Sequence, residues 1–223
     1  MKTTLLLSLP LLALSAPTPL DTSLALDAAI LEKRATGYSG GSTASDVTNG
    51  ACAPLTVIFA RGTSETGTVG TVVGPPLFSA LKSKLNGNVA LQGVSYPASA
   101  AGNANLGQDG GPTMAKLANQ ALSQCPGTKV VLSGYSQGAM VVHNAVQKSG
   151  FAAGNVAAAV LFGDPLLRQS VGSVPAAKVK EYCASGDGVC QTGTFSISAA
   201  HLSYGSDASA AADFIIQTAG VKA

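Results

Sequence analysis

Two pentapeptides in this chain have the form G-x-S-x-G, the setting in which a serine hydroxyl becomes a nucleophile: Gly37-Tyr38-Ser39-Gly40-Gly41 and Gly134-Tyr135-Ser136-Gln137-Gly138. A serine hydroxyl attacks poorly until a base removes its proton. Only two histidines, His143 and His201, are available for that task. The base needs an acid in turn, to fix its tautomer and balance the imidazolium charge. Serine, histidine and carboxylate together perform acyl transfer, so the question is which members of each class meet.

Spacing sorts the histidines. His143 lies seven residues after Ser136 on the same expected helix, about 10 Å of rise away. It cannot fold back to that serine and reads as a polar residue at the helix surface or sheet junction. His201 sits in "SAAHLSYG", a late loop, as the chain order Ser…Asp/Glu…His of an α/β hydrolase demands. The acid must lie between them, which leaves Asp164, Glu181 and Asp187. Glu181 falls inside an expected strand, with little freedom to reach the loops. Asp164 ends a strand and occupies a permitted position. Asp187 lies in "CASGDGVC", flanked by Gly186 and Gly188. If Cys183 and Cys190 pair, so short a loop constrains the unfolded chain little and serves better to fix a residue than to stabilise. Asp187 is therefore preferred over Asp164.

These residues need elements to hold them. "LTVIFA" at 55–60 reads as a buried strand, followed by helix 75–85, strand 89–96 and helix 113–125. Strand 129–134, helix 139–149, strand 155–164, strand 177–184 and helix 206–220 complete the series. The alternation predicts a three-layer, doubly wound α/β domain around a central, mainly parallel five-stranded sheet, joined by right-handed crossovers. Ligands of such sheets bind beyond the carboxyl ends of the strands. Ser136 stands there, between strand 129–134 and helix 139–149, and Gly134 and Gly138 leave room for the chain to reverse. Ser39 lies in a Gly/Ser/Thr stretch with neither strand nor helix beside it. An oxyanion formed at Ser136 requires donors, one being the backbone N–H of Gln137. "FARGTSETG" after the first strand offers Thr63 or Ser64 as the second.

Composition limits the remaining possibilities. Met1–Ala16 has a charged start, an apolar run and small residues, and reads as a signal peptide. Residues 17–34, ending in Lys33-Arg34, read as a propeptide with a dibasic cut. Residues 35–51 read as a flexible segment and 52–223 as one catalytic domain. The net charge of +2 and the lack of basic runs argue against nucleic acid. No transmembrane segment is expected in the mature protein, the apolar run at the start being too short to span a bilayer. Four cysteines in a secreted chain favour two disulfides, and with two histidines and no C-x-x-C a metal site is not expected. Cys52 and Cys125 both precede strands, so Cys52–Cys125 and Cys183–Cys190 is the pairing consistent with the topology.

In combination, "RGTSETG", "CPGTKVVLSGYSQGA", "CASGDGVC" and "AAHLSYG" resemble the fungal cutinases, small secreted α/β hydrolases. The resemblance runs from about Cys52 to the end. It implies Ser136 as nucleophile, Asp187 as acid, His201 as base, and Thr63 with the Gln137 N–H as oxyanion hole, with Thr63 standing where many relatives carry Ser. It implies the same disulfide pairing and an open, lidless site. It places one apolar rim at Phe195 and Ile197 and another in the loop holding Asn103, Asn105 and Leu106. A cofactor-free, extracellular monomer acting on hydrophobic polyesters such as cutin and on short to medium acyl esters is the resulting expectation. An acetylxylan- or lipase-type esterase on the same fold is the alternative, although acetylxylan esterases are usually richer in cysteine. A non-catalytic surface-binding protein is the more distant one.

Overall fold

The computed structural model describes residues 36–222; the expected signal peptide and propeptide lie outside them. Five strands form one sheet: β1 (Leu55–Ala60), β2 (Ala90–Gly93), β3 (Lys129–Tyr135), β4 (Val156–Phe162) and β5 (Val179–Tyr182). Their order is β2-β1-β3-β4-β5 and every pairing is parallel. The expected strand at 55–60 coincides with β1, while the expected strands at 89–96 and 177–184 shorten to four residues each.

The strands alternate between two apolar layers. Leu55, Val57 and Phe59 of β1 pack with α1 (Gly74–Lys84) and the C-terminal helix (Ala208–Ala219), while Ile58 and Ala60 pack with α2 (Gly111–Gln124) and α3 (Gln137–Gln147). Side chains on a strand point to opposite faces with period two, so a strand buried on both faces must be apolar throughout. β1 is buried at all six positions. Pro75-Pro76 and Pro112 stand in the first turns of α1 and α2, where a missing N–H costs nothing. A short helix, α4 (Gly188–Thr192), lies between β5 and the C-terminal helix, which is α5.

From β1 the order runs outward to β2 on one side and to β3 on the other. This is the switch point where open α/β sheets place their ligands, beyond the strand carboxyl ends. The β1 end leads into Arg61-Gly62-Thr63 and the β3 end into Ser136. At the opposite end of the same two strands, Cys52 is bonded to Cys125.

The segment expected to be flexible is packed down from residue 36 onward. It runs along the free edge of β2: Asp46 N–H donates to Leu91 C=O (3.1 Å), Gly93 N–H to Ala44 C=O (2.9 Å), and Ser45 bridges Gln92 antiparallel. The buried Asp46 carboxylate accepts from the Thr36 hydroxyl and from the N–H groups of Gly37 (3.0 Å) and Leu91 (2.8 Å). Tyr38 inserts edge-on against Phe78, with centroids 5.3 Å apart. An open strand edge is a liability that this cover removes. Composition hid it, because a few buried side chains, Tyr38, Asp46 and Val47 among them, hold a stretch that is mostly small and polar.

Candidate active site

Ser136 is the hinge between β3 and α3. Its backbone has φ 56° and ψ −119°, a conformation that costs an L-residue about 1–3 kcal/mol and persists where surroundings enforce it. The enforcement is visible. Ser136 N–H donates to Phe162 C=O on β4 (2.8 Å). A Cβ on Gly134 would come 2.1 Å from Gly138 C=O, and one on Gly138 would come 2.0 Å from Ala60 C=O. The two glycines therefore let the turn collapse onto β1. Ser39, in the other pentapeptide, is exposed. It borders a depression with Tyr38, Lys82 and Asn86, without a histidine or carboxylate.

His201 and Asp187 meet as expected. Nδ1 of His201 lies 2.8 Å from Asp187 Oδ2, and both residues are fully buried. Asp187 caps α4, its Oδ1 accepting from Val189 N–H (2.9 Å). The Cys183–Cys190 disulfide closes the loop around it. Burial alone would push this carboxyl up. Hydrogen bonds from Tyr204, His201 and the Val189 N–H, with the adjacent imidazole, outweigh burial and hold it below the usual carboxylate range. Tyr135 packs its ring against the imidazole at 5.0 Å, and its hydroxyl donates to His201 C=O (2.9 Å). Gly163 makes room, since a Cβ there would sit 2.7 Å from His201 Cε1. His201 and Ser136 line the same groove, and the imidazole Nε2 has no partner among the described residues. The link from Nε2 to the serine hydroxyl is thus not formed in this geometry, as is common before substrate binds.

Thr63 lines the groove, and Gln137 follows Ser136 as the first residue of α3. Its N–H therefore has no acceptor one turn back. Thr63 N–H makes no hydrogen bond among the described residues. The Thr63 loop is tied down by Glu65, whose carboxylate accepts from the N–H groups of Gly62 (2.7 Å), Thr71 (2.8 Å) and Val72 (2.9 Å). Asn103 joins the two candidate donors: its Oδ1 accepts from the Thr63 hydroxyl (3.0 Å) and from Gln137 Nε2 (2.7 Å). Gln137 Nε2 also donates to Ser99 C=O (2.8 Å). Ser64 also lines the groove, but its N–H is already spent on Ala98 C=O (2.7 Å). Asn103→Ala should cost roughly 10- to 100-fold in kcat with KM little changed, since it releases Thr63 and Gln137 without removing either donor. Steady-state kinetics on a soluble ester reads this directly.

The groove has a volume of about 720 Å³. Phe195, Ile197 and Leu202 form one wall, and all three are largely exposed. Of the three residues expected on the facing wall, Asn103 lines the groove, while Asn105 and Leu106 border another depression. Ala101 and Ala104 present their methyls from a single 3₁₀ turn, Ala101–Asn105, in which residues three apart share a face. Leu106, expected on this rim, lies beyond the turn in a left-handed conformation (φ 48°). The depression it borders also includes Pro112 and Asn144.

His143 is not at a surface. It is fully buried and bonded to Asp164 (2.9 Å), the alternative candidate for the acid. Asp164 also accepts from Leu166 N–H (2.9 Å), so it closes α3 onto the turn after β4. Glu181 of β5 lies beside this pair, its carboxyl pushed up to about 9 by burial and by the Asp164 charge. These three are the one group among the described residues whose side chains could together hold a metal ion. Asp164 is already engaged on both oxygens, and Glu181 retains its proton at neutral pH.

Sequence reasoning missed Tyr204, Glu65 and the supporting role of Asn103. Tyr204 follows His201 by three residues, which in a turn sequence puts two side chains near one another. Glu65 and Asn103 carried no comparable signal. Among the described residues no helix is long and apolar enough to cross a membrane.

Known proteins resemble this chain in sequence and in fold. The cutinase family profile matches residues 51–219. Cutinase 4 of Emericella nidulans is 55% identical over 183 residues, covering 82% of this chain and 79% of its own. The solved cutinase of Trichoderma reesei in complex with a phosphonate inhibitor is 37% identical with a TM-score of 0.72, covering 90% of this chain and 87% of its own. An acetyl xylan esterase solved as an iodinated complex is 27% identical with a TM-score of 0.59, covering 75% and 99%. The chain belongs to the cutinase family and is a serine ester hydrolase.

Proposed function

We propose that this protein is a secreted, monomeric esterase cleaving carboxylic ester bonds of cutin-like polyesters and of short to medium acyl esters, through an acyl-enzyme on Ser136. The observation that carries this reading is the His201–Asp187 pair opening onto an apolar groove that ends at Ser136. His201 Nε2 takes the Ser136 proton as the hydroxyl attacks the ester carbonyl. The N–H groups of Thr63 and Gln137 receive the oxyanion. Asp187 holds the proton on Nδ1 and balances the imidazolium. His201 then protonates the leaving alcohol, and water repeats the sequence to release the acid. No cofactor is needed for any step. Secretion is read from the signal-like Met1–Ala16 and from two disulfides, which persist in oxidising compartments.

The likeness to an acetyl xylan esterase supports a second reading, an esterase acting on a polar polysaccharide. The groove favours the first, because its surface is mainly apolar, from Val72, Ala101, Ala104, Phe195, Ile197 and Leu202, and suits an acyl chain better than a sugar. Release of hydroxy fatty acids from cutin and of acetate from acetylated xylan, measured side by side with Ser136→Ala as control, separates them. Acetate release from xylan exceeding cutin hydrolysis would reject the polyester assignment.

A further inference from the structure

Asp187 carries more than the His201 bond. Its Oδ2 also accepts from the hydroxyl of Tyr204 at 2.5 Å, and Tyr204 is fully buried. The same phenol oxygen accepts from Ala184 N–H (3.0 Å), the residue that follows Cys183 into the disulfide loop. The phenol ring stands edge-on to His201 at 6.1 Å and packs against Tyr135 and Phe162. A neutral donor is thus spent on the oxygen that faces the imidazole, although Asp187 Oδ1 already has the Val189 N–H.

We propose that Tyr204 is a positioning residue of the catalytic apparatus: its hydroxyl fixes the Asp187 carboxylate and sets how strongly that carboxylate holds a proton on His201. This rests on the reading of Ser136, His201 and Asp187 as the reacting triad. A carboxylate with no other partner would pull hard on the imidazolium and raise the pH at which His201 becomes a free base. A hydroxyl hydrogen bond disperses part of that charge, so the base is free at lower pH. The titratable groups facing Asp187 are His201 and Tyr204 from the 201–204 turn and Tyr135 from β3, while Cys190 is bound in the disulfide. Asp207 acts on Tyr204 and Glu65 on Tyr135 through space. Hydrogen bonding to Asp187 and burial together hold the phenol in its protonated, donating form.

The test is the pH profile of kcat/KM for a soluble p-nitrophenyl ester, with the rate of Ser136 labelling by a fluorophosphonate measured in parallel. Tyr204→Phe keeps the ring and removes only the hydroxyl. It should lower kcat roughly tenfold, leave KM within about twofold, and move the acid limb up by about half to one pH unit. Site-specific 3-fluorotyrosine at position 204 has nearly the same shape and a more acidic hydroxyl, and should move the limb down instead. In an Asp187→Asn background, Tyr204→Phe should add little further loss. Unmoved acid limbs in both variants, or a full further loss in the Asn background, would assign the hydroxyl to the fold and overturn the proposal. A Tyr204→Phe protein that does not fold leaves the fluorotyrosine shift to decide the matter. Failure of the triad reading looks different: the native protein would not be labelled at Ser136.

Discussion

Ser136→Ala should lower ester hydrolysis by roughly 10⁵- to 10⁶-fold while the protein stays folded. The residual rate should reflect the oxyanion donors and the groove alone. Folding should survive because the elbow does not depend on the hydroxyl. Its geometry is imposed by Ser136 N–H on Phe162 C=O and by the close contacts of Gly134 and Gly138. Alanine adopts this backbone no more comfortably than serine, so the stability change should stay within about 1 kcal/mol. His201→Ala should cost nearly as much, and the double variant little more, because base and nucleophile act as one unit. Fluorophosphonate labelling followed by peptide mass spectrometry gives an independent reading. The adduct should fall on Ser136, never on Ser39. Full esterase activity in Ser136→Ala would remove the nucleophile from this account.

That the two serines could be separated from sequence follows from what a strand–turn–helix requires. The apolar runs at 55–60 and 129–134 and the flanking glycines were legible because buried parallel strands and tight turns leave strong local constraints. Two histidines and four cysteines reduced the pairings to a few. The structure then brings His201 onto Asp187 and closes the disulfide around it. What stayed hidden depends on contacts across long separations. Asp46 holds Leu91 from 45 residues away, Asn103 reaches Thr63 across 40, and His143 meets Asp164 across 21. Side chains such as these obey no local period. The composition around Ser39 reads as a loose stretch, yet that stretch is anchored by Tyr38 and Asp46. What disqualifies Ser39 is that neither a histidine nor a carboxylate lines the depression beside it.

Both aspartates beside a histidine invite the same substitution, and the expected results are opposite. Asp187→Asn should lower kcat by about 10⁴-fold. The carboxylate receives three donors: Val189 N–H on Oδ1, and His201 and Tyr204 on Oδ2. An asparagine offers one oxygen and one NH₂. If its oxygen replaces Oδ1, the NH₂ faces His201 and Tyr204. The imidazole must then accept at Nδ1 and carry its proton on Nε2, where it cannot serve as base. If its oxygen replaces Oδ2, the NH₂ confronts the Val189 N–H and the cap of α4 opens. Either way the charge that balances the imidazolium is lost. Asp164→Asn should behave differently. Asp164 joins His143 to the turn after β4 and does not line the groove. Its loss should cost about 1–3 kcal/mol of stability through weakened buried hydrogen bonds, with kcat per folded molecule close to native. Thermal unfolding beside active-site titration separates the two quantities. An inactive, fully folded Asp164→Asn together with an active Asp187→Asn would exchange the roles of the two carboxylates.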